Sequence, residues 1–389
     1  MDAISHRFCF GLVLCSLVLT SGAAPAVAKD PCSETDDNPW ASWQFQEEND
    51  FLSGEDDFYT QGLLFTVTRC RDRTPEWAEE LGQWLWSGLY SGRESSVVFS
   101  LELGQYIFTP EDLSRPELIV DDRPYAGYLF GGVVLTVTED GTENPVQQIF
   151  ELQLGVIGPE SGAEWAQEQL HELINSQPPM GWENQLPFEV GLEFIYRWQR
   201  RIGSSTFDVV PHVGGGLGNL QVFANLGATF RLGKNLESTF PVRINVPTRS
   251  GRANGGARGA EDTRATLDAG NRATRGADDN GATLDVEDFV AQHTANEAPK
   301  WDGFLFVGAD GRFVGRNIFL DGSTFEGSHS VDREPFVTDL SAGFSFRYGR
   351  FRFNYTLVRR SREFTPLPEA RRDGVHEFGS FTFTYDRTF

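Results

Sequence analysis

The chain ends in Gly379-Ser380-Phe381-Thr382-Phe383-Thr384-Tyr385-Asp386-Arg387-Thr388-Phe389. Aromatic side chains occupy every second position up to Tyr385, with Thr between them, and another aromatic, Phe389, is the last residue. A period of two that ends on an aromatic residue is typical of the closing strand of an outer-membrane β-barrel. In a soluble sandwich such a strand would leave an exposed edge, which a closed barrel removes.

Eleven further segments alternate in the same way, which gives an even number of strands, as in bacterial barrels. The sequence therefore predicts an all-β protein: a transmembrane, antiparallel, up-and-down barrel of about twelve strands with short helices in its loops. The predicted strands are Trp40–Glu48, Phe58–Arg69, Val97–Phe108, Tyr125–Thr138, Val146–Ile157, Pro187–Gln199, Thr206–Leu217, Leu220–Leu232, Asp302–Leu320, Phe336–Tyr348, Phe351–Arg362 and Glu377–Phe389.

Residues 1–28 predict a secretory signal. A weakly basic start precedes an apolar run over Phe8–Thr20, and Ala26-Val27-Ala28 forms an A-x-A site, with cleavage before Lys29. Cys15 as a lipoprotein acceptor is disfavoured, because the residues before it are large. The mature chain, 29–389, is expected to form the barrel.

The composition excludes two classes of protein. After the signal, no run approaches the roughly 20 apolar residues that a spanning helix needs, and a net charge of −23 leaves nothing basic to follow the phosphates of a nucleic acid. Lys occurs only at positions 29, 234 and 300, so nearly all positive charge is Arg. Arginine suits anionic lipid head groups; solvated loop charge and composition bias are the alternatives.

With both termini on the periplasmic side, odd strands run outward and even strands return. Cys32 and Cys70 then lie on the periplasmic rim, where an exported chain is expected to oxidise them to a disulfide; two free thiols are the alternative. On the same rim, residues 74–86 predict an amphipathic helix that begins with Thr74 as its cap and lies in the membrane interface or binds a partner. The stretch 234–300 is of low complexity and predicts a disordered periplasmic insertion, with a small plug as the alternative.

Oxygen-bearing side chains meet at the first outward turn. Asn49, Asp50 and Thr60 offer amide, carboxylate and hydroxyl oxygens, which are hard ligands that suit Ca²⁺. An acidic hairpin that is simply solvated is the alternative.

A helix is predicted to follow the fifth strand, from the capping-box pattern at Ser161 to about Asn175. Gln167 and His171 lie four residues apart and therefore share a face. Aimed at the barrel mouth, His171 is a candidate general base and Gln167 a candidate for orienting a water or substrate. The alternative is a surface histidine without a role. In the connection between strands three and four, Arg115 and Arg123 are candidates for binding a phosphate or an oxyanion, or for holding the loop through an Arg–Asp pair.

Six short motifs in chain order resemble one known family. They are Asn49-Asp50, Tyr59-Thr60-x-Gly62, Tyr106-x-x-Thr109-Pro110, Asp122-Arg123-Pro124-Tyr125-Ala126-Gly127, Val156-Ile157-Gly158-Pro159, and Gln167 with His171. Together they resemble the lipid A 3′-O-deacylase family of outer-membrane barrels, and they cover the chain apart from residues 234–300.

The resemblance implies a carboxylic ester hydrolase of the Gram-negative outer membrane that acts on lipid A, the membrane anchor of lipopolysaccharide, with Ca²⁺. It implies that His171 activates water at the extracellular rim, that Gln167 assists, and that Asn49, Asp50 and Thr60 mark the calcium region. The chain departs from the family at one point: the family's catalytic Lys between strands three and four is absent, and Arg115 or Arg123 is the nearest basic residue.

Two other functions stay open from the sequence. A non-catalytic barrel, a channel or a structural protein, requires a polar, open lumen. A barrel phospholipase with a serine nucleophile requires a Ser beside His171, and none lies nearby in sequence.

Overall fold

A computed structural model describes residues 32, 37–49, 61–90, 92–174, 176–240, 301–365 and 376–387. The predicted signal at 1–28, most of the predicted insertion, and the candidate ligands Asp50 and Thr60 lie outside the described residues. The first residues of the insertion are described: Leu236 and Phe240 are buried, and Leu236 packs on Phe304 and Phe306 of the barrel.

The described residues form one antiparallel barrel of twelve strands, in which each strand pairs with the next in sequence and the last pairs with the first. This confirms the predicted fold. A two-residue strand, Ile202–Gly203, extends one edge. The barrel strands are β1 (Trp40–Asn49), β2 (Gln61–Arg69), β3 (Ser95–Phe108), β4 (Ala126–Glu139), β5 (Val146–Ile157), β6 (Glu189–Arg200), β7 (Phe207–Gly218), β8 (Gln221–Lys234), β9 (Trp301–Asn317), β10 (Phe336–Tyr348), β11 (Phe351–Arg360) and β12 (His376–Asp386).

Within the described ranges, three α-helices lie in the connections: α1 (Glu76–Ser87), α2 (Ala163–Ile174) and the short α3 (Ile318–Asp321). The sequence predicts strand as far as Leu320, but β9 ends at Asn317, whose side chain accepts the Phe319 amide hydrogen at 3.1 Å and so caps α3. No helix in the described part of the chain is long and apolar enough to cross a membrane. We call the two ends of the barrel the α1 rim and the α2 rim.

The two faces of the wall follow the alternation of the sequence. Phe45, Phe65 and Leu103 are in register on neighbouring strands and are exposed, as lipid-facing side chains should be. On the other face, apolar side chains fill the lumen near the α2 rim, where Phe108 of β3 stacks on Phe319 of α3 with centroids 4.3 Å apart. Because β3 and β9 stand on opposite sides of the ring, this contact closes the lumen.

Many arginine side chains form buried ion pairs inside the barrel. Three buried aspartates each pair with two arginines at distances of 2.5–3.3 Å. Buried charges are retained where they are paired in this way, so these arginines are not available to lipid head groups. The sets are Asp208 with Arg201 and Arg231, Asp302 with Arg347 and Arg352, and Asp339 with Arg312 and Arg360.

At the α1 rim, Cys32 and Cys70 form a disulfide. Helix α1 follows, and it packs on the lipid-facing side of β3, with Trp77 edge-on to Phe99 at 5.6 Å. Thr74 does not cap this helix as the sequence predicts; Pro75 is the capping residue, and the Thr74 hydroxyl donates to the carbonyl of Val97 at 3.1 Å.

Candidate functional site

Helix α2 lies on the outside of the wall, not over the barrel mouth as the sequence suggests. Its start rests on Gly127 of β4, where a Cβ atom would come within 2.1 Å of the Ser161 hydroxyl and 2.2 Å of the Ala163 methyl group. Gln105 of β3 donates its side-chain amide to the Ser161 carbonyl at 2.8 Å. Gln105 and Gly127 share the lipid-facing side, so the inner face of α2 is held against the wall at the α2 rim.

His171 lies on that inner face and is only 4% exposed. Its Nδ1 atom is 2.5 Å from the carbonyl oxygen of Gln177. A carbonyl can only accept, so Nδ1 carries the hydrogen, and in the neutral ring Nε2 carries the lone pair. The loop after α2 therefore orients the imidazole with its basic nitrogen available.

Gln167 lies one turn earlier on the same face and is fully buried. The Trp182 indole donates to Gln167 Oε1 at 2.8 Å, which fixes the orientation of the amide because an indole N–H can only donate. Trp182 is itself held by the Tyr125 ring, with centroids 5.0 Å apart. The Gln167 Nε2 atom is buried and makes no hydrogen bond to any described residue, so this donor is left unsatisfied within the described part of the chain. Trp182 carries no motif that singles it out in the sequence.

Arg115 lies on the segment that contacts the end of this loop. The Met180 amide donates to the Leu113 carbonyl at 2.9 Å, and the Asn184 side chain donates to the Pro116 carbonyl at 2.8 Å. The Arg115 side chain is exposed, and its guanidinium makes no ion pair with a described residue. Its proposed contact with a phosphate stays a prediction.

Arg123 is placed very differently, with only 2% of its surface exposed. Its guanidinium lies between the rings of Phe108 and Phe364, 5.5 and 5.6 Å from their centroids, and donates to Glu363 at 3.1 Å. Burial alone would raise the pKa of the Glu363 carboxyl, but the charges of Arg360 and Arg123 outweigh burial and lower this pKa. These contacts are those of a loop anchor inside the lumen, with glutamate in place of the aspartate considered from the sequence.

Asn49 is the last residue of β1 and lies on the same face as Phe45, towards lipid. Ile107, beside the start of α2, is two strands away from β1, which at about 4.8 Å per strand is a distance of roughly 10 Å. Asn49 and α2 therefore share one side of the wall at one rim. Within the described ranges, no group of three or more His, Cys, Asp or Glu side chains could hold a metal ion.

Polar side chains that the sequence motifs did not reveal surround Asn49. Glu47, Gln61 and Gln105 all have the lipid-facing parity of their strands. Each of these polar residues stands at a position where the alternation of the strand predicts an apolar one. They can be recognised in this way only when the register of the strands is known.

Comparisons with known proteins give one solved structure of the same fold and one family. The structure of LpxR from Salmonella typhimurium matches with a TM-score of 0.59 at 19% identity, over 89% of this chain and 100% of that one. The β domain of the Bordetella autotransporter BrkA is less similar, with a TM-score of 0.38 at 10% identity, over 90% of this chain and 100% of that one. No curated protein matches significantly. The model of the family described as outer membrane protein LpxR matches residues 12–387, so the chain belongs to the LpxR family of outer membrane proteins.

Proposed function

We propose that this protein is an outer-membrane esterase that removes the 3′-linked acyloxyacyl group from lipid A, in a calcium-dependent reaction at the α2 rim, facing the cell exterior. Family membership supports a lipid A deacylase. The observation that carries the proposal is the pairing of His171 and Gln167 on the buried face of α2, each oriented by one hydrogen bond.

The chemistry follows from these orientations. His171 Nε2 takes a proton from a water molecule, whose oxygen attacks the ester carbonyl carbon. The two Gln167 Nε2 hydrogens donate to the oxygen that becomes negative. When the ester bond breaks, the protonated imidazole returns its proton to the departing sugar oxygen. No covalent intermediate with the protein is required.

Calcium would be held by Asn49, Asp50 and Thr60, whose amide, carboxylate and hydroxyl oxygens suit this ion. When bound, it supplies positive charge that stabilises the developing oxyanion. Asn49 fits this role in the structure, because its side chain is largely buried at the rim on the same side of the wall as α2.

The surroundings suit an amphipathic substrate. Exposed Phe45, Phe65 and Leu103 lie on the same side of the wall as Asn49, farther from the α2 rim. Acyl chains can therefore remain in the outer leaflet against the wall. The phosphorylated sugars then reach the rim, where the exposed guanidinium of Arg115, which pairs with no described carboxylate, can bind a phosphate oxygen.

Mass spectrometry of lipid A from cells that express the protein tests the proposal. Wild type is expected to release the 3′ acyloxyacyl group, and His171→Ala is expected to lower the rate by about 10²- to 10⁴-fold. Leu173→Ala, on the exposed face of the same helix, is the matched control and is expected to keep full activity. Unchanged lipid A from cells with folded wild-type protein and ample calcium contradicts the proposal.

A further inference from the structure

One acidic side chain, Glu47, stands on the lipid-facing wall between two apolar neighbours. Glu47 pairs in register with Phe381 on one side and with Leu63 on the other. Further along, the same row continues through Gln105, which donates to Ser161, and then through Leu129 and Val156. A charged residue on the lipid face of a barrel is unfavourable, to a degree that depends on its depth in the membrane. Such a position calls for a compensating group.

The part of the chain that the structure describes does not supply that group. No described residue forms a hydrogen bond or ion pair with the Glu47 carboxylate. The turn at 50–60, which follows β1 directly, contains four acidic residues and no Lys, Arg or His. A bound cation would supply the positive charge that these residues do not.

Asn49 lies two residues after Glu47 on the same face of β1. Residues i and i+2 of a strand are about 6.6–7 Å apart, and Ca²⁺ binds its oxygen ligands at about 2.4 Å. Two side chains at this spacing can therefore reach one ion. Glu47 adds a carboxylate to a ligand set in which Asn49 contributes only a neutral amide.

We propose that Glu47 is a ligand of the divalent cation and binds it together with Asn49. This inference rests on the proposed calcium dependence. Glu47 is not part of the family motifs named above. If it is a ligand, removing its negative charge lowers the affinity for calcium.

Calorimetric titration of Ca²⁺ into purified, refolded protein in detergent tests the inference without relying on activity. Glu47→Gln is expected to weaken binding at least 10-fold. Glu48→Gln is the matched control: it removes the same charge one residue away, but from the lumen side, where Glu48 accepts from Gln46 at 2.9 Å. Its calcium affinity is expected to stay within about twofold of wild type, and heat-modifiable migration checks that each variant folds.

The possible results separate the two proposals. Equal binding by wild type and Glu47→Gln overturns the role of Glu47 and leaves the hydrolase proposal standing. If wild type binds no calcium, the calcium dependence itself fails. The segment at 366–375 carries Arg371 and Arg372. If Glu47→Gln lowers the unfolding temperature in calcium-free buffer without changing calcium affinity, the carboxylate serves an internal ion pair and the inference is overturned.

Discussion

Single hydrogen bonds orient His171 and Gln167, the two side chains proposed to act on the ester. Gln167 is useful as a donor only while Trp182 holds its carbonyl oxygen. In Trp182→Phe, that oxygen loses its partner, and an unsatisfied buried acceptor costs about 1–3 kcal/mol. The amide is then free to turn. We expect deacylation to fall about 10-fold in kcat with little change in KM, because the lost interaction acts on the transition state.

Trp165→Phe is the control for this substitution. Trp165 lies on the same helix but is 67% exposed, so its loss should leave the rate unchanged. A Trp182→Phe enzyme with wild-type kcat would show that the orientation of Gln167 is irrelevant to the reaction.

The ion pairs of Glu363 make the stability of the folded protein depend on pH. Its pKa is lowered in the folded protein, since Arg360 and Arg123 outweigh the effect of burial. Its stabilising contribution is therefore complete above the unfolded value of about 4.3 and is lost as the pH falls through the lower folded pKa. Glu363→Gln should unfold at a lower temperature than wild type at pH 7, and this difference should shrink below about pH 4.

Thermal unfolding followed by gel migration, from pH 3 to 8, measures this difference. Glu334→Gln serves as control, because its partner Arg362 is 48% exposed and exposed pairs contribute little. If the difference in unfolding temperature between wild type and Glu363→Gln grew towards low pH, the role of Glu363 as the partner of Arg123 would be contradicted.

At the scale of elements, the sequence predicted all twelve strands, because their alternation is local and repeats many times. It also predicted α2, with His171 and Gln167 on one face. It did not predict the side of the wall on which α2 packs. That side depends on Gly127, whose missing side chain leaves room for Ser161 and Ala163, and on a register that joins residues far apart in sequence.

Gly127→Ala tests this contact. The added methyl group would lie 2.1 Å from the Ser161 hydroxyl, and overpacking of this kind typically costs about 1–3 kcal/mol. We expect α2 to shift from the wall and the deacylation rate to fall by about 10- to 100-fold, since small displacements of catalytic groups are costly. The barrel itself should still show normal heat-modifiable migration.

Gly131→Ala is the matched control. Gly131 lies on the same face of β4, and a Cβ there would meet only the Glu102 carbonyl, at 3.9 Å. This variant should keep its activity. Equal activity in both variants would mean that the packing of α2 against β4 does not position the site.

Tertiary packing determines whether the lumen of the barrel is filled or open. The alternation of the sequence gives the lumen-facing residues but not whether they meet across the pore. In the structure they do: Phe108 and Phe319 stack from opposite sides, and Arg123, just before β4, reaches Glu363, just after β11. The proposed site is on the lipid-facing side of the wall, so a filled lumen is compatible with the proposed hydrolase.

This arrangement predicts that the purified protein, inserted in a planar bilayer, shows no steady ion conductance. Replacing both Phe108 and Phe319 with Ala removes two buried aromatic side chains, which leaves a cavity where they meet, and should give measurable or noisy conductance. Phe45→Ala, on the lipid-facing side, should behave like wild type. A stable open conductance of the wild-type protein would mean that these contacts do not close the lumen. The barrel would then be better explained as a channel.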